Sequence, residues 1–320
     1  MDLRAISPME YARLVLPLSA KLWAGRRNLD TYVTQTLEIA QSGYGRRYYR
    51  TLGLYDDDGA LTSSCKRYER TVRLGARRLR VCGVGAVFTP EPLRGRGYAT
   101  AMLGMLLDAA RADGYDAVYL FSDIRPRFYE ELGFRLQPSR VVTLRADDLA
   151  AGRVQIARLE ERDWDGIRRC FSMLDRTRAW SFTRTPLVWE WIRMRLRHGS
   201  EHTRGADAHF VVRNGRGAFA YAFGMRIPER DTYALDEFGF AGNGADALVP
   251  ALLRGAAGDL RRISGWLPPD GARRLLPRSL LRERRNAIFM IAPLSELGKR
   301  WCALSERPSP ADGVWSTDHV

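Results

Sequence analysis

The stretch VFTPEPLRGRGYATAMLGMLLDAARADG, residues 87–114, runs from an apolar segment through a Pro- and Arg-containing turn into a stretch with helical periodicity. From Tyr98 onward, Ala99, Met102, Leu103, Leu106, Leu107 and Ala110 follow i, i+3, i+4, i+7 spacing and Gly114 supplies a stop, which predicts a helix with one buried face. Two arginines and two glycines therefore crowd the point where a strand becomes a helix. Glycine lets a backbone approach a ligand closely. The first N–H groups of a helix point outward, and the helix dipole favours negative charge there. Arg94 and Arg96 add charge and donors. Residues 94–100 read as an anion cradle. Two common nucleotide cradles fail on spelling: no Gly-Lys-Ser/Thr follows the glycines, and the GxGxxG pattern breaks at Phe88 in GVGAVF and at Thr100 in GRGYAT.

Working outward, LRVCGVGAVFTP is a β-branched, apolar strand interrupted by Gly83 and Gly85, as a bulge or a close backbone approach requires. Upstream lie a short strand (LRAIS), a helix capped by Ser7 with Pro8 at its first position, a second helix (LDTYVTQTLEIAQSG), and two strands split by the acids and Gly59 of YDDDGA. Downstream, DAVYLFS reads as a buried strand, RPRFYEELG as a short helix, and FRLQPSRVVTLR as one or two closing strands. This order predicts a mixed α/β sheet. Near Ala150 the pattern restarts with VQIARLEERDWDGIRRCFSML, and the second half repeats the element order of the first, ending with a helical GARRLLPRSL and a last strand NAIFMIAPL. The expected division is 1–148, 149–296 and an extended tail, 297–320, marked by Pro308 and Pro310.

A length of 320 residues suits two domains, and 45% hydrophobic residues suffice for two cores. The net charge of +14 comes from 48 arginines and only three lysines, Lys21, Lys66 and Lys299. With no basic block, that charge favours a phosphorylated ligand, and nucleic acid is not expected. Cys65, Cys82, Cys170 and Cys302 form no CxxC pair, so neither a zinc site nor a disulfide framework is expected. There is no apolar run of membrane length and no signal core, which leads to an expected cytoplasmic location without membrane partners.

RGRGYA, with the strand GAVFTP before it and LFSDIRPRFYEELGF after it, resembles the R/Q-x-x-G-x-G/A signature and flanking elements of the GNAT superfamily of acyl-CoA N-acyltransferases. The resemblance covers roughly residues 1–144. The second half is similar to the degenerate second copy of tandem-GNAT proteins of the enhanced-intracellular-survival type, through its element order and its Trp-containing helix VWEWIRMRL. The implied fold is a GNAT domain followed by a degenerate GNAT-like domain, without the sterol-carrier-like domain of that type.

The implied cosubstrate is acetyl-CoA, with no metal. Its pyrophosphate would meet the backbone of Arg94, Gly95, Arg96, Gly97, Tyr98, Ala99 and Thr100, and its pantetheine arm would run beside Val87, Phe88 and Thr89. An N–H of Phe88 or Thr89 would serve the thioester oxygen. Tyr129 stands where the superfamily often places the acid beside the leaving sulfur. In the survival type a C-terminal carboxylate can reach the active site; here that requires residues 308–320 to fold back.

The residues themselves do not single out a base. Asp123 reads as a turn or cap residue and Glu91 as a solvated charge. Asp236 and Glu237, consecutive acids in an apolar strand, either line an acceptor pocket between the halves or pair with arginine. The segment GFAGNGADALVPALL lacks a leading Arg or Gln, so the second half is not expected to bind CoA. His198, His202, His209 and His319 do not spell a metal motif, because HGSEH breaks at Gly199 and Ser200. The function expected is acetyl transfer to a primary amine of a small molecule, with a protein N-acetyltransferase or a non-catalytic acyl-CoA-binding regulator as alternatives.

Overall fold

The computed structural model describes the chain except residues 125, 153, 203–204, 214–218, 270–271, 273–275, 277–279 and 308–312, and the side chains of residues 200–202. The helical reading of GARRLLPRSL falls largely outside the described residues, as do Pro308 and Pro310. The first half contains β1 (Asp2–Ile6), α1 (Pro8–Leu14), α2 (Leu16–Trp23), α3 (Leu29–Gln41), α4 (Gly43–Tyr48), β2 (Tyr49–Tyr55), β3 (Leu61–Leu74) and β4 (Arg77–Phe88). It continues with α5 (Tyr98–Ala112), β5 (Ala117–Ser122), α6 (Arg127–Glu130), β6 (Arg135–Leu136) and β7 (Arg140–Arg145). The second half contains β8 (Ile156–Arg158), α7 (Trp164–Arg176), β9 (Trp180–Phe182), α8 (Pro186–His202), β10 (Ala206–Asp207), β11 (Phe210–Arg213) and β12 (Phe219–Ile227). Then follow β13 (Thr232–Ala241), α9 (Leu248–Ala257), β14 (Arg262–Trp266), β15 (Leu280–Glu283), β16 (Ile288–Pro293) and α10 (Glu296–Ser305).

The local readings follow ordinary capping chemistry. Ser7 Oγ accepts from Glu10 N–H with Pro8 at the first helical position, and Asn28 caps α3 through Thr31 N–H. The split of the N-terminal helix into α1 and α2 falls at Val15, two residues before Pro17. In α5 the predicted stripe of Met102, Leu103, Leu106, Leu107 and Ala110 is buried, packed with Cys65, Cys82 and Val84 of the sheet.

Two mixed sheets result. The first runs β1-β2-β3-β4-β5-β16-β6, with β9 beside the far end of β3, and the second runs β15-β7-β14-β13-β12-β11-β8, with β10 on β12. Each holds one parallel pair, β4–β5 and β13–β14, connected through a helix. The closing strands are exchanged. β16, from the far end of the chain, pairs antiparallel with β5, and β7, from the first half, pairs antiparallel with β14. This corrects the expected division at residues 148–149: the two sheets do not separate there, because each takes its closing strand from the other half. Alternating apolar residues identify a strand but not its sheet. The expected tail is also corrected. Residues from Glu296 form α10, capped by Ser295, with Trp301 and Cys302 in the core, and Val314, Trp315, Thr317 and Asp318 are buried.

No helix among the described residues is long and apolar enough to cross a membrane. All four cysteines are free, buried thiols.

Candidate active site

Where β4 and β5 pair, Val81–Val84 lie beside Ala117–Leu120; beyond Val84 the pairing ends although both strands continue. On its other side β4 stays paired with β3, with a register shift opposite Ser64–Lys66 and a positive φ of 48° at Ala86. The bulge turns β4 away from β5 and leaves residues 85–88 with a backbone edge that no strand covers among the described residues. Gly83 stays within the paired stretch, and Gly85 falls where the parallel pair splays into a slot with a free strand edge.

At the top of that slot sits the cradle. Gly95 and Gly97 adopt φ of 77° and 80°, and a Cβ on either would meet nothing within 4 Å. They serve backbone conformation and open space, not packing. Gly97 is the N-cap of α5 and no side chain caps that helix; its first i→i−4 bond is Ala101 N–H to Gly97 O, at 2.9 Å. The N–H groups of Tyr98, Ala99 and Thr100 therefore precede the hydrogen-bonded ladder and face outward. Arg94 Nε donates to Thr89 O at 3.1 Å, bracing the loop, while Arg96 is exposed.

Tyr129, on α6, is buried against Phe128 and Phe134 in the α5 cluster beside Cys65, Cys82 and Val84. Its hydroxyl has no hydrogen-bond partner among the described residues. Burial, then the nearby Asp123 and Cys65, push its pKa up to about 12. Asp123 accepts from Ala287 N–H at 2.8 Å, a turn role as read from the sequence. Glu91 pairs with Lys21 at 2.9 Å on the surface, and that hydrogen bond holds its carboxyl below the usual range.

The consecutive acids of β13 divide the two roles considered for them. Glu237 faces a dry ionic cluster: Arg184 Nη1 and Nη2 donate to its two oxygens at 2.8 Å each, Tyr221 OH donates at 2.5 Å, and Thr317 Oγ1 donates as well. Arg184 also reaches Asp318, at 3.1 Å, which in turn contacts Arg70 of β3 at 3.3 Å. Burial opposes both charges. Asp318 and Glu237 nevertheless hold Arg184 above its ordinary pKa, and Arg184 and Arg70 hold Asp318 below its own. This network pins residues 317–318 between the two sheets.

Asp236 points instead into a cavity of about 440 Å³ between the lobes, whose wall includes Tyr68, Trp191, Arg195, Trp266, His319 and Val320. Ser316 Oγ donates to Asp236 Oδ1 at 2.7 Å. Burial pushes the Asp236 carboxyl up to about 6, against the Ser316 hydrogen bond and the charge of Arg195. The cavity meets the first sheet at the splay: a Cβ on Gly85 would lie 3.1 Å from the Val320 carbonyl carbon and 3.4 Å from Tyr68 Cε2. Residues 308–320 as a possible return to the site were read from the sequence; Val320 does lie there.

The structure thus brings Val87, Phe88, Thr89 and residues 94–100 to one slot, with Tyr129 in the core beneath it. Sequence reasoning did not single out Arg195, Trp191, Trp266, Tyr68 or Ser316. No local motif marks them, because the cavity is assembled from both lobes and the chain end. His198 bonds Glu38 Oε2 at 2.9 Å and His209 Nδ1 accepts from Gly224 N–H at 3.2 Å, while the His202 side chain lies outside the described residues. Among the described residues no group of three or more His, Cys, Asp or Glu is placed to hold a metal ion. In the second lobe, Gly242 and Gly244 also take positive φ before α9, but no basic residue precedes Arg254 there.

Residues 28–137 match the model of the acetyltransferase (GNAT) domain. A lysine acetyltransferase of Yarrowia lipolytica is 27% identical over 109 residues, covering 32% of this chain; the chain spans 28% of that relative's length. Among solved structures, Eis1 from Mycobacterium abscessus is 16% identical with a TM-score of 0.59, over 92% of this chain and 74% of that one. A tandem GNAT protein from the clavulanic acid biosynthesis pathway is 10% identical with a TM-score of 0.50, over 92% and 98%. Residues 28–137 are thus similar to a GNAT acetyltransferase domain, and the two-lobed fold around them is similar to that of tandem GNAT proteins.

Proposed function

We propose that this protein transfers the acetyl group of acetyl-CoA to a primary amine of a small molecule. The observation that carries the reading is the junction at β4: a splayed strand edge under an uncapped, glycine-opened helix start on one side, and a cavity lined by a carboxylate on the other. The pyrophosphate fits the N–H groups of residues 94–100 with Arg94 and Arg96, and the pantetheine arm completes the open edge of β4 beside Val87, Phe88 and Thr89. The thioester oxygen then lies near the N–H of Phe88 or Thr89, an oxyanion donor as the tetrahedral intermediate forms. The amine nitrogen attacks the thioester carbon, the C–S bond breaks, and CoA leaves as a thiolate.

Tyr129 acts on that thiolate. With its pKa pushed up to about 12, against about 8.5 for an ordinary thiol, full proton transfer is uphill by roughly 5 kcal/mol. A hydrogen bond that stabilises the developing charge is the role its chemistry allows, with the proton arriving from solvent. A cavity of about 440 Å³ suits a small acceptor, within the usual range of small-molecule pockets. The name of the Yarrowia relative favours a second reading, a lysine side chain as acceptor. The test is release of free CoA thiol from acetyl-CoA against a panel of amines and a lysine-containing peptide. Acceptor-dependent release with small amines supports the reading, and release with the peptide alone shifts it to the second.

A further inference from the structure

The interlobe cavity holds two opposite charges that are not paired with each other. Asp236 Oδ1 takes the Ser316 hydroxyl, while Oδ2 has no partner among the described residues. Arg195, on α8, stacks over Trp191 at 4.7 Å from the ring centre; its Nη1 donates to the backbone carbonyls of Thr317 and His319, and its other N–H groups have no acceptor among the described residues. No ion pair within 4.0 Å joins Arg195 to Asp236, although both line the cavity. The other basic side chains there are engaged: Arg27 bonds Gln35, Trp23 O and Ala24 O, and His198 bonds Glu38. Around the two open charges stand the aromatic faces of Tyr68, Trp191 and Trp266.

Taking the acetyl-transfer reading as its basis, we infer that the acceptor is a free amino acid, with its reacting amine on Asp236, its carboxylate on Arg195 and its apolar body between Trp191 and Trp266. A half-buried carboxylate and a half-buried guanidinium held apart are each costly, and a zwitterion compensates both at once. Both groups are displaced toward neutrality: burial pushes Asp236 up to about 6 and lowers Arg195. The charged groups that act on Asp236 are Arg195 of α8 and Asp207 of β10, with Glu237 on the opposite face of its own strand and His319 on the cavity wall. Asp236 takes the first proton from the ammonium; the freed nitrogen forms the C–N bond to the acetyl carbon as the C–S bond of acetyl-CoA breaks, its second proton passes to solvent as the amide forms, and the thiolate is protonated from solvent.

The test compares phenylalanine and tryptophan with their decarboxylated amines, phenethylamine and tryptamine, on the full chain and on Arg195→Gln, Arg195→Lys and Asp236→Asn. The account expects the amino acids to be preferred in kcat/KM by about tenfold or more. Arg195→Gln erases that preference by raising KM for the amino acids alone, Arg195→Lys restores part of it, and Asp236→Asn lowers kcat with both acceptor classes while acetyl-CoA binds as before. Equal use of amine and amino acid, or an equal effect of Arg195→Gln on both, overturns the inference and leaves acetyl transfer standing. If the wild type binds no acetyl-CoA, the basis fails instead, and quenching of tryptophan fluorescence by phenylalanine, which needs no CoA, decides for the cavity. Saturable quenching lost in Arg195→Gln and Asp236→Asn upholds a zwitterion site; no quenching overturns it.

Discussion

Gly85 and Val320, 235 positions apart in the chain, are packed so closely that a Cβ on Gly85 would lie 3.1 Å from the Val320 carbonyl carbon and 3.2 Å from its oxygen. The contact joins the splayed strand of the first lobe to the cavity between the lobes. Glycine is required here for space, since its φ lies outside the positive range.

Gly85→Ala therefore forces either Val320 or Tyr68 outward by a few tenths of an ångström. The expected result is a stability loss of about 1–2 kcal/mol, typical of mild overpacking, and an acceptor KM raised about tenfold. Chemical denaturation and steady-state kinetics check the two effects, and acetyl-CoA affinity should stay near the wild-type value.

The adjacent acids of β13 should respond to neutralisation with opposite signs. Glu237→Gln leaves Arg184 and Asp318 in a dry cluster with one charge too few, and breaking such a pair costs about 3–5 kcal/mol. Asp236→Asn keeps a partner for Ser316 and removes a carboxylate whose folded-state pKa is raised to about 6, which stabilises the fold at pH 8 by about 3 kcal/mol. Denaturant midpoints of the two variants should lie on either side of the wild type.

Tyr129→Phe keeps the ring that packs against Phe128 and Phe134 and removes only the hydroxyl. Since that hydroxyl has no partner among the described residues, the fold should lose less than about 1 kcal/mol, whereas kcat should fall about 10- to 100-fold with little change in KM for acetyl-CoA. A kcat equal to the wild type assigns Tyr129 to packing alone.

The pH dependence of stability carries a signature of His319, whose pKa falls to about 3 through burial and the charges of Arg195 and Arg284. From about pH 6.5 downward the unfolded chain takes a proton here that the folded protein refuses, so stability falls with acid. Asp236 acts in the opposite sense. Its raised pKa lets the fold hold a proton that the unfolded chain lacks, a contribution present at acid pH and lost as pH rises through about 6. The comparison of wild type with His319→Gln cancels the Asp236 effect. The variant should gain on the wild type by about 1.4 kcal/mol per pH unit between pH 6 and 4, measured by denaturation.

Much of the site was legible because its signals are local. The cradle is one run of residues whose glycines need positive φ and whose helix needs an apolar stripe, and Tyr129 follows it at fixed spacing. What escaped depends on long-range pairing. β7 and β16 read as strands, yet nothing in their alternation names the sheet each joins. Asp236 and Glu237 read as an anomaly, and their opposite side-chain directions give one to the cavity and one to Arg184. Trp191, Arg195 and Trp266 lie on a helix and a strand that carry no local motif, and only the packing of the two lobes brings them to one cavity.

The most direct test of the central claim is calorimetric titration of acetyl-CoA into the wild type and into Arg94→Ala/Arg96→Ala, with both proteins checked for equal thermal stability. The account predicts saturable one-to-one binding that weakens about tenfold or more in the double variant, as loss of two charge-assisted contacts implies. No binding by the wild type, or equal binding by the two proteins, would contradict it.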